Sequence, residues 1–249
     1  MIKLNGEIIK PTIFPDKTSQ VWKLPNYLIS VDNIIHWNFE SEAEIVHLAQ
    51  LKSLIDKTLS NKTTLQINYL PYARQDKDVT NDTTFALHSF AKLLNALEFT
   101  DIHINDPHSD KALDLINNSY KFYPVHNLVE ALEDTKSELV VYPDKGALKK
   151  YSEFYNLPYV YGEKDRNQLT GVIERYELKG NVKNQNVMIV DDICDGGMTF
   201  ILLAKELYNA GANSVNLFVT HGIFSKGIKV LKEANIKRIF TKDGEVNER

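Results

Sequence analysis

Short apolar runs that alternate with longer amphipathic stretches constrain this chain more than any other feature. Strand candidates lie at 34–39, 65–70, 101–106, 138–144, 158–164, 186–192 and 214–221. Helix candidates sit between them, at 41–59, 84–98, 127–134, 145–156, 199–211 and 225–235. In the first helix candidate Ile45, Leu48, Leu51, Leu54 and Ile55 recur near the helical period. Gly211 is placed to end the fifth. Strand then helix, repeated, predicts a mostly parallel sheet covered by helices on both faces. The pattern runs twice, which predicts two α/β lobes, 1–126 and 127–249.

Composition narrows the function classes. At 43% hydrophobic and 25% charged the 249 residues read as a globular chain. No apolar run approaches the ~18 residues of a membrane span, and MIKLNGEIIKPT lacks the apolar core of a signal peptide. The net charge of −4 does not favour nucleic acid as a partner. A single cysteine, Cys194, excludes an internal disulfide framework and fits a reducing compartment. The expectation is a cytoplasmic protein with no membrane or nucleic-acid partner.

In α/β folds ligands bind beyond the carboxyl ends of strands, and that is where the polar residues gather: Asp106 and His108, Asp144, Asp191 and Asp192, His221. The stretch VMIVDDICDGGMTF (187–200) is the most informative. Gly196 and Gly197 allow a tight turn and close approach of a ligand. The helix start that follows offers N–H groups to an anion, and Thr199 can cap it or donate its hydroxyl. Asp191, Asp192 and Asp195 would repel a phosphate but suit sugar hydroxyls or a bridging metal. A phosphorylated sugar meets both demands. A solvated strand end with an ordinary N-cap accounts for these residues about as well. No GxxxxGK[ST] or GxGxxG pattern is present.

The stretch at 187–200 resembles the ribose-5-phosphate loop of phosphoribosyltransferase-fold proteins: four apolar residues, two acids, two residues, Asp, Thr, Gly, Gly, Thr. NYLPYARQDKDVT (68–80) resembles the ATP segment of the ribose-phosphate diphosphokinases, through Arg74, Gln75 and Asp76. INDPHSD, with Asp106 and His108, VVYPDKGALKK, with Asp144 and Gly146, and THGIFSKG (220–227) resemble further segments of that family. So does GEKDR, where Lys164 and Arg166 match the Lys-x-Arg that opens the catalytic loop. FPDKT, with Phe14 and Asp16, is a weaker match to the adenine-contacting Phe-Ser-Asp-Gly-Glu. The segments keep the family's order over nearly the whole chain.

The resemblance implies two tandem phosphoribosyltransferase-type lobes, 1–126 on the ATP side and 127–249 carrying the ribose phosphate and catalytic loop. It implies an α/β fold, a homo-oligomer that is at least a dimer, and a member shortened at both ends. It implies Mg²⁺, with ATP as co-substrate, and diphosphoryl transfer to the anomeric hydroxyl of ribose 5-phosphate with release of AMP. In that scheme Phe14, Asp16, Arg74, Gln75, Asp76 and His108 bind ATP, and Lys164 and Arg166 are catalytic. Asp191, Asp192, Asp195, Gly196, Gly197, Met198 and Thr199 hold the ribose and its phosphate. His108, Asp144, Asp191 and Asp192 are the metal ligands, although imidazole is an unusual ligand for so hard a cation and His108 can instead touch a phosphate.

The loop departs from the family form at Gly196, where a threonine is usual, and at Met198, where a glycine is usual. Losing one hydroxyl donor costs a terminal phosphate roughly 1 kcal/mol. It leaves room for something attached to that phosphate, so ADP-ribose, an acceptor used in rebuilding NAD, is the alternative to ribose 5-phosphate. A phosphoribosyltransferase and an inactive regulatory relative are the remaining readings. The Arg-Gln-Asp and Lys-x-Arg segments argue against the first, and the retained Lys164, Arg166, His108 and Asp144 against the second.

Overall fold

The computed structural model describes all residues except 58–61, 154–156, 167–172 and 248–249. For residues 26, 164–166 and 173–176 it describes the backbone alone. The chain divides into two compact units, Met1–Tyr123 and Pro124–Arg249.

The first unit contains β1 (Ile2–Leu4), β2 (Glu7–Ile8), β3 (Thr12–Ile13), β4 (Ser19–Gln20), β5 (Asp32–Trp37), α1 (Ala43–Asp56), β6 (Lys62–Ile67), α2 (Ala86–Asn95), β7 (Asp101–Asn105), α3 (Lys111–Leu115) and β8 (Ser119–Phe122). Six strands form a sheet in the order β2-β1-β5-β6-β7-β8. The pairs from β5 to β8 are parallel, and β1 joins β5 and β2 antiparallel. Register sets Ile35 beside Leu65 and Leu65 beside Ile102. These pack with Leu48, Leu51 and Ile55 of α1 and with Leu87, Phe90 and Leu94 of α2 in one core.

The expectation of two covered faces fails for this sheet. Along β5, β6 and β7 buried residues alternate with half-buried or exposed ones, among them Ile34, His36, Gln66 and His103. A strand buried on both faces needs a continuous apolar run, and these strands do not have one.

The second unit contains α4 (Val125–Thr135), β9 (Leu139–Tyr142), α5 (Lys145–Tyr151), β10 (Tyr159–Arg166), β11 (Ile173–Lys179), β12 (Asn186–Cys194), α6 (Met198–Asn209), β13 (Ser214–Gly222), α7 (Lys229–Glu233), β14 (Ile236–Thr241) and β15 (Gly244–Glu245). The sheet order is β11-β10-β9-β12-β13-β14-β15, parallel except for the pairings of β11 and β15 at its edges. Here β9 is buried throughout, as are Val187–Val190 of β12 and Val215–His221 of β13. This sheet is covered on both faces.

Helix α6 shows why the sequence folds this way. Phe200, Leu203, Ala204 and Leu207 are buried and recur at helical spacing, which is the stripe that a sheet-covering helix needs. Gly211 ends it from the left-handed region, at φ +91°. The N–H groups of Gly211 and Ala212 bond back to the carbonyls of Tyr208 and Leu207, at 3.0 Å each, so two orphan carbonyls are satisfied. Among the described residues no helix is long and apolar enough to cross a membrane. Leu203 is fully buried in the core of this unit. Leu203→Ala should cost about 2–5 kcal/mol, read as a lower midpoint in urea unfolding.

Candidate active site

In the first unit the loop after β6 carries Arg74, Gln75 and Asp76. Tyr72 enters it at φ +63°, an unusual conformation for a bulky side chain. Its hydroxyl donates to Glu42 at 2.6 Å, and that bond pushes the phenol up to about 12. The Gln75 N–H donates to the Tyr72 carbonyl at 2.9 Å, and the Leu87 N–H donates to the Gln75 carbonyl at 3.2 Å. The loop is thereby tied to the start of α2.

The Asp76 carboxylate accepts from the Ser109 hydroxyl at 2.7 Å, and Lys111 donates to the Asp76 carbonyl at 2.9 Å. Two segments singled out separately in the sequence therefore meet: Arg74–Asp76 and Asp106–Asp110. Arg74, Gln75 and His108 expose their side chains, while Asp106 is buried. Ser109 and Lys111, which join the segments, carried no sequence signal.

Phe14 and Asp16 lie on a separate hairpin, β3–β4, whose hydrogen bonds run to α1 through His47 and Gln50. Asp16 accepts from the Thr18 hydroxyl at 2.7 Å and the Thr18 N–H at 3.0 Å. Those bonds hold its carboxyl below the usual range. Phe14 remains exposed.

In the second unit β12 runs through both acids and ends only at Cys194. Neighbouring strand residues face opposite sides, so Asp191 and Asp192 leave the sheet on different faces. Asp192 is buried and pairs with Lys150 of α5 at 3.2 Å, with both side chains largely shielded from solvent. Asp191 is half-buried, and one of its oxygens accepts from the Asp192 N–H at 3.0 Å. An ionised carboxylate has about four lone-pair sites, so neither bond exhausts its acid. Lys150 was missed in the sequence because its partner is 42 residues away.

The turn into α6 depends on Gly197, which sits at φ +78° as the N-cap, and no side chain caps this end. Thr199 lies within the first turn, so it does not cap. A Cβ on Gly197 would come 2.8 Å from Leu231. Gly196 differs: its φ is not positive, and a Cβ there would meet only the Lys226 stem at an ordinary 3.6 Å.

The segment after β13 lies against this loop. Ile223 and Phe224 donate their N–H groups to the Cys194 carbonyl, at 2.8 and 3.0 Å, and the Ser225 hydroxyl donates to Asp195 at 2.6 Å. Cys194 is buried, and burial pushes its thiol up to about 12, with Asp191 and Asp195 adding to the effect. It is a filler and not a nucleophile.

Asp144 caps α5, accepting from the Ala147 N–H at 3.0 Å. Beside it Lys145 pairs with Glu163 of β10 at 2.6 Å. Lys164 and Arg166 close β10, opposite Tyr176 and Ile173 of β11, with a register shift between Asp165 and Arg166. Their side chains lie outside what is described.

Of the expected metal ligands, His108 lies in the first unit and Asp144, Asp191 and Asp192 in the second. Among the described residues no group of three or more His, Cys, Asp or Glu side chains could hold a metal ion. Mg²⁺ asks for less, typically one or two carboxylates plus substrate phosphates and water. Asp144, just past β9, and Asp191, within the adjacent strand β12, are two such carboxylates.

The loop at Gly197 yields an asymmetric prediction. Gly197→Ala should cost about 1–2 kcal/mol for the left-handed backbone alone, and more for the Leu231 contact. Gly196→Ala should stay within about 0.5 kcal/mol of wild type. Denaturant midpoints of the two variants check this.

The phosphoribosyl transferase domain family matches residues 152–248. The ribose-phosphate pyrophosphokinase of Saccharolobus solfataricus is 25% identical over 240 residues, 93% of this chain and 82% of that one. That of Pyrococcus abyssi is 29% identical over 235 residues, 91% of this chain and 81% of that one. The crystal structure of phosphoribosylpyrophosphate synthetase from Mycobacterium smegmatis superposes with a TM-score of 0.78, covering 94% of this chain and 79% of that one at 19% identity. Sequence likeness to ribose-phosphate pyrophosphokinases thus runs through nine-tenths of the chain, and the synthetase fold is shared over the same span.

Proposed function

We propose that this protein transfers the β,γ-diphosphate of ATP to the anomeric hydroxyl of ribose 5-phosphate and releases AMP. The observation that carries this reading is the end of β12, where two carboxylates precede an uncapped helix N-terminus within six residues. Carboxylates accept hydrogen bonds from sugar hydroxyls, and bare helix N–H groups donate to phosphate oxygens. A phosphorylated sugar satisfies both. The names of the relatives, ribose-phosphate pyrophosphokinases, support the same substrate pair.

In this mechanism Asp191 accepts from the ribose hydroxyls and fixes the sugar, Asp192 backs this strand end from the opposite face through its pair with Lys150, and Asp195, Met198 and Thr199 border the phosphate. Arg74, Gln75, Asp76 and His108 belong to the nucleotide, with Phe14 and Asp16 toward its base. Lys164 and Arg166 supply positive charge to the diphosphoryl group during in-line attack. Mg²⁺ bound with ATP would be held by Asp144 and Asp191 and would neutralise charge on the phosphates, and His108 stays with the nucleotide segment of the first unit. Catalysis is then positioning and electrostatic stabilisation. The family likeness also supports a homo-oligomer, at least a dimer, working in the cytoplasm.

ADP-ribose as acceptor is the second reading, and Gly196 favours it. Its backbone does not demand glycine, so the missing side chain is free to serve the ligand.

The test is AMP release from Mg-ATP with ribose 5-phosphate and with ADP-ribose in parallel, compared as kcat/KM. Higher kcat/KM with ribose 5-phosphate is expected; preference for ADP-ribose would replace the first reading with the second, and no turnover with either would sink both. Lys164→Ala should lower kcat by about 10²–10³-fold, as loss of a transition-state charge contact does, with ATP binding by calorimetry retained.

A further inference from the structure

We propose that Lys226 is a ligand for the acceptor's phosphate and sets the preference for the group that phosphate carries. This rests on the reading of the β12–α6 loop as the phosphate site. The stem of Lys226 lies along Gly196, with Cε, Cδ and Cγ at 3.6, 3.7 and 4.0 Å from where a side chain would begin. The lysine therefore borders the space in which a loop hydroxyl would otherwise stand.

Its delivery there is built into the fold. The Phe224 ring lies over Gly222, 2.1 Å from where a side chain there would begin. Phe224 in turn adopts φ +47°, a genuine outlier for an aromatic residue. The two hydrogen bonds from the Ile223 and Phe224 N–H groups to the Cys194 carbonyl fix this turn to the end of β12, and Ser225 fixes it again to Asp195. Lys226 is the next residue, exposed. Among the described residues no carboxylate pairs with its ammonium.

Charge makes the case sharper. Asp191, Asp192 and Asp195 put three carboxylates on one short stretch, where Lys150 pairs with Asp192. An anionic acceptor approaching Gly196–Thr199 meets helix N–H groups and repulsion from Asp195. Lys226 is a cation held against that loop. A long flexible stem can follow a phosphodiester as well as a terminal phosphate, which a short threonine hydroxyl at position 196 could not.

The experiment uses the full chain with Mg-ATP and each acceptor separately. Lys226→Ala should raise the acceptor KM about tenfold or more, as loss of a charged hydrogen bond does. KM for ATP should stay unchanged and kcat nearly so. Lys226→Arg should recover most of the loss. The acceptor KM of the wild type should rise with salt, and that of Lys226→Ala should rise less. A larger loss with ADP-ribose than with ribose 5-phosphate would assign Lys226 to the diphosphate-linked acceptor, and the reverse to the monoester. An unchanged acceptor KM in Lys226→Ala, with the wild type active, would overturn the role of Lys226 and leave the phosphate loop standing. A wild type that neither turns over nor binds either acceptor by calorimetry would overturn both.

Discussion

Because Gly197 turns in the left-handed region, β12 can deliver its acids and α6 can begin at once, with its first N–H groups uncovered. Leu231 of α7 packs where a side chain on Gly197 would go, so the core of the unit closes over the turn and holds it. Cys194, buried just before it, and Phe200, buried just after it, anchor both sides of the loop. The segment from Ile223 to Lys226 then binds to the strand end that this turn has fixed. If the turn moved, the acids, the helix start and the covering segment would lose their common reference.

The acids that invite a ligand reading also carry structural bonds. Asp144 caps α5, Asp16 closes a hairpin turn, and Asp76 links two loops through Ser109. Asp192 neutralises a shielded lysine. A carboxylate with two oxygens can hold a structural donor on one and a ligand on the other. The bond to the fold then orients the second oxygen. An ordinary cap and a ligand are therefore not competing explanations at these positions.

Much of the architecture was legible in the sequence. Each of the seven strand candidates and six helix candidates corresponds to an element of the same kind. Most elements missed are short or at a sheet edge, such as β1 with three residues, β8 of Ser-Tyr-Lys-Phe and β11, rich in charge, but β14, six residues inside the second sheet, was missed as well. The short and edge strands are held by pairing with a neighbouring strand rather than by an apolar alternation of their own, so local periodicity does not record them. The candidate site shows the same division. Motif order picked out the loops, and physical chemistry gave Gly197 its turn. The groups that join the loops, Ser109, Lys150 and Ser225, are ordinary polar residues whose partners lie 30 or more positions away.

The doubly covered sheet of the second unit has a consequence for the chain before it folds. Val187–Val190 and Leu217–Val219 are buried, uncharged and rich in strong strand formers. Such segments, left unpaired during synthesis, template association with their own kind. Asp191 and Asp192 sit directly after the first of them and end it with two like charges. Copies stacked in register would bring those charges into columns, so the pair acts as a gatekeeper against self-association. The same carboxylates thus guard the nascent chain before they have any ligand to hold.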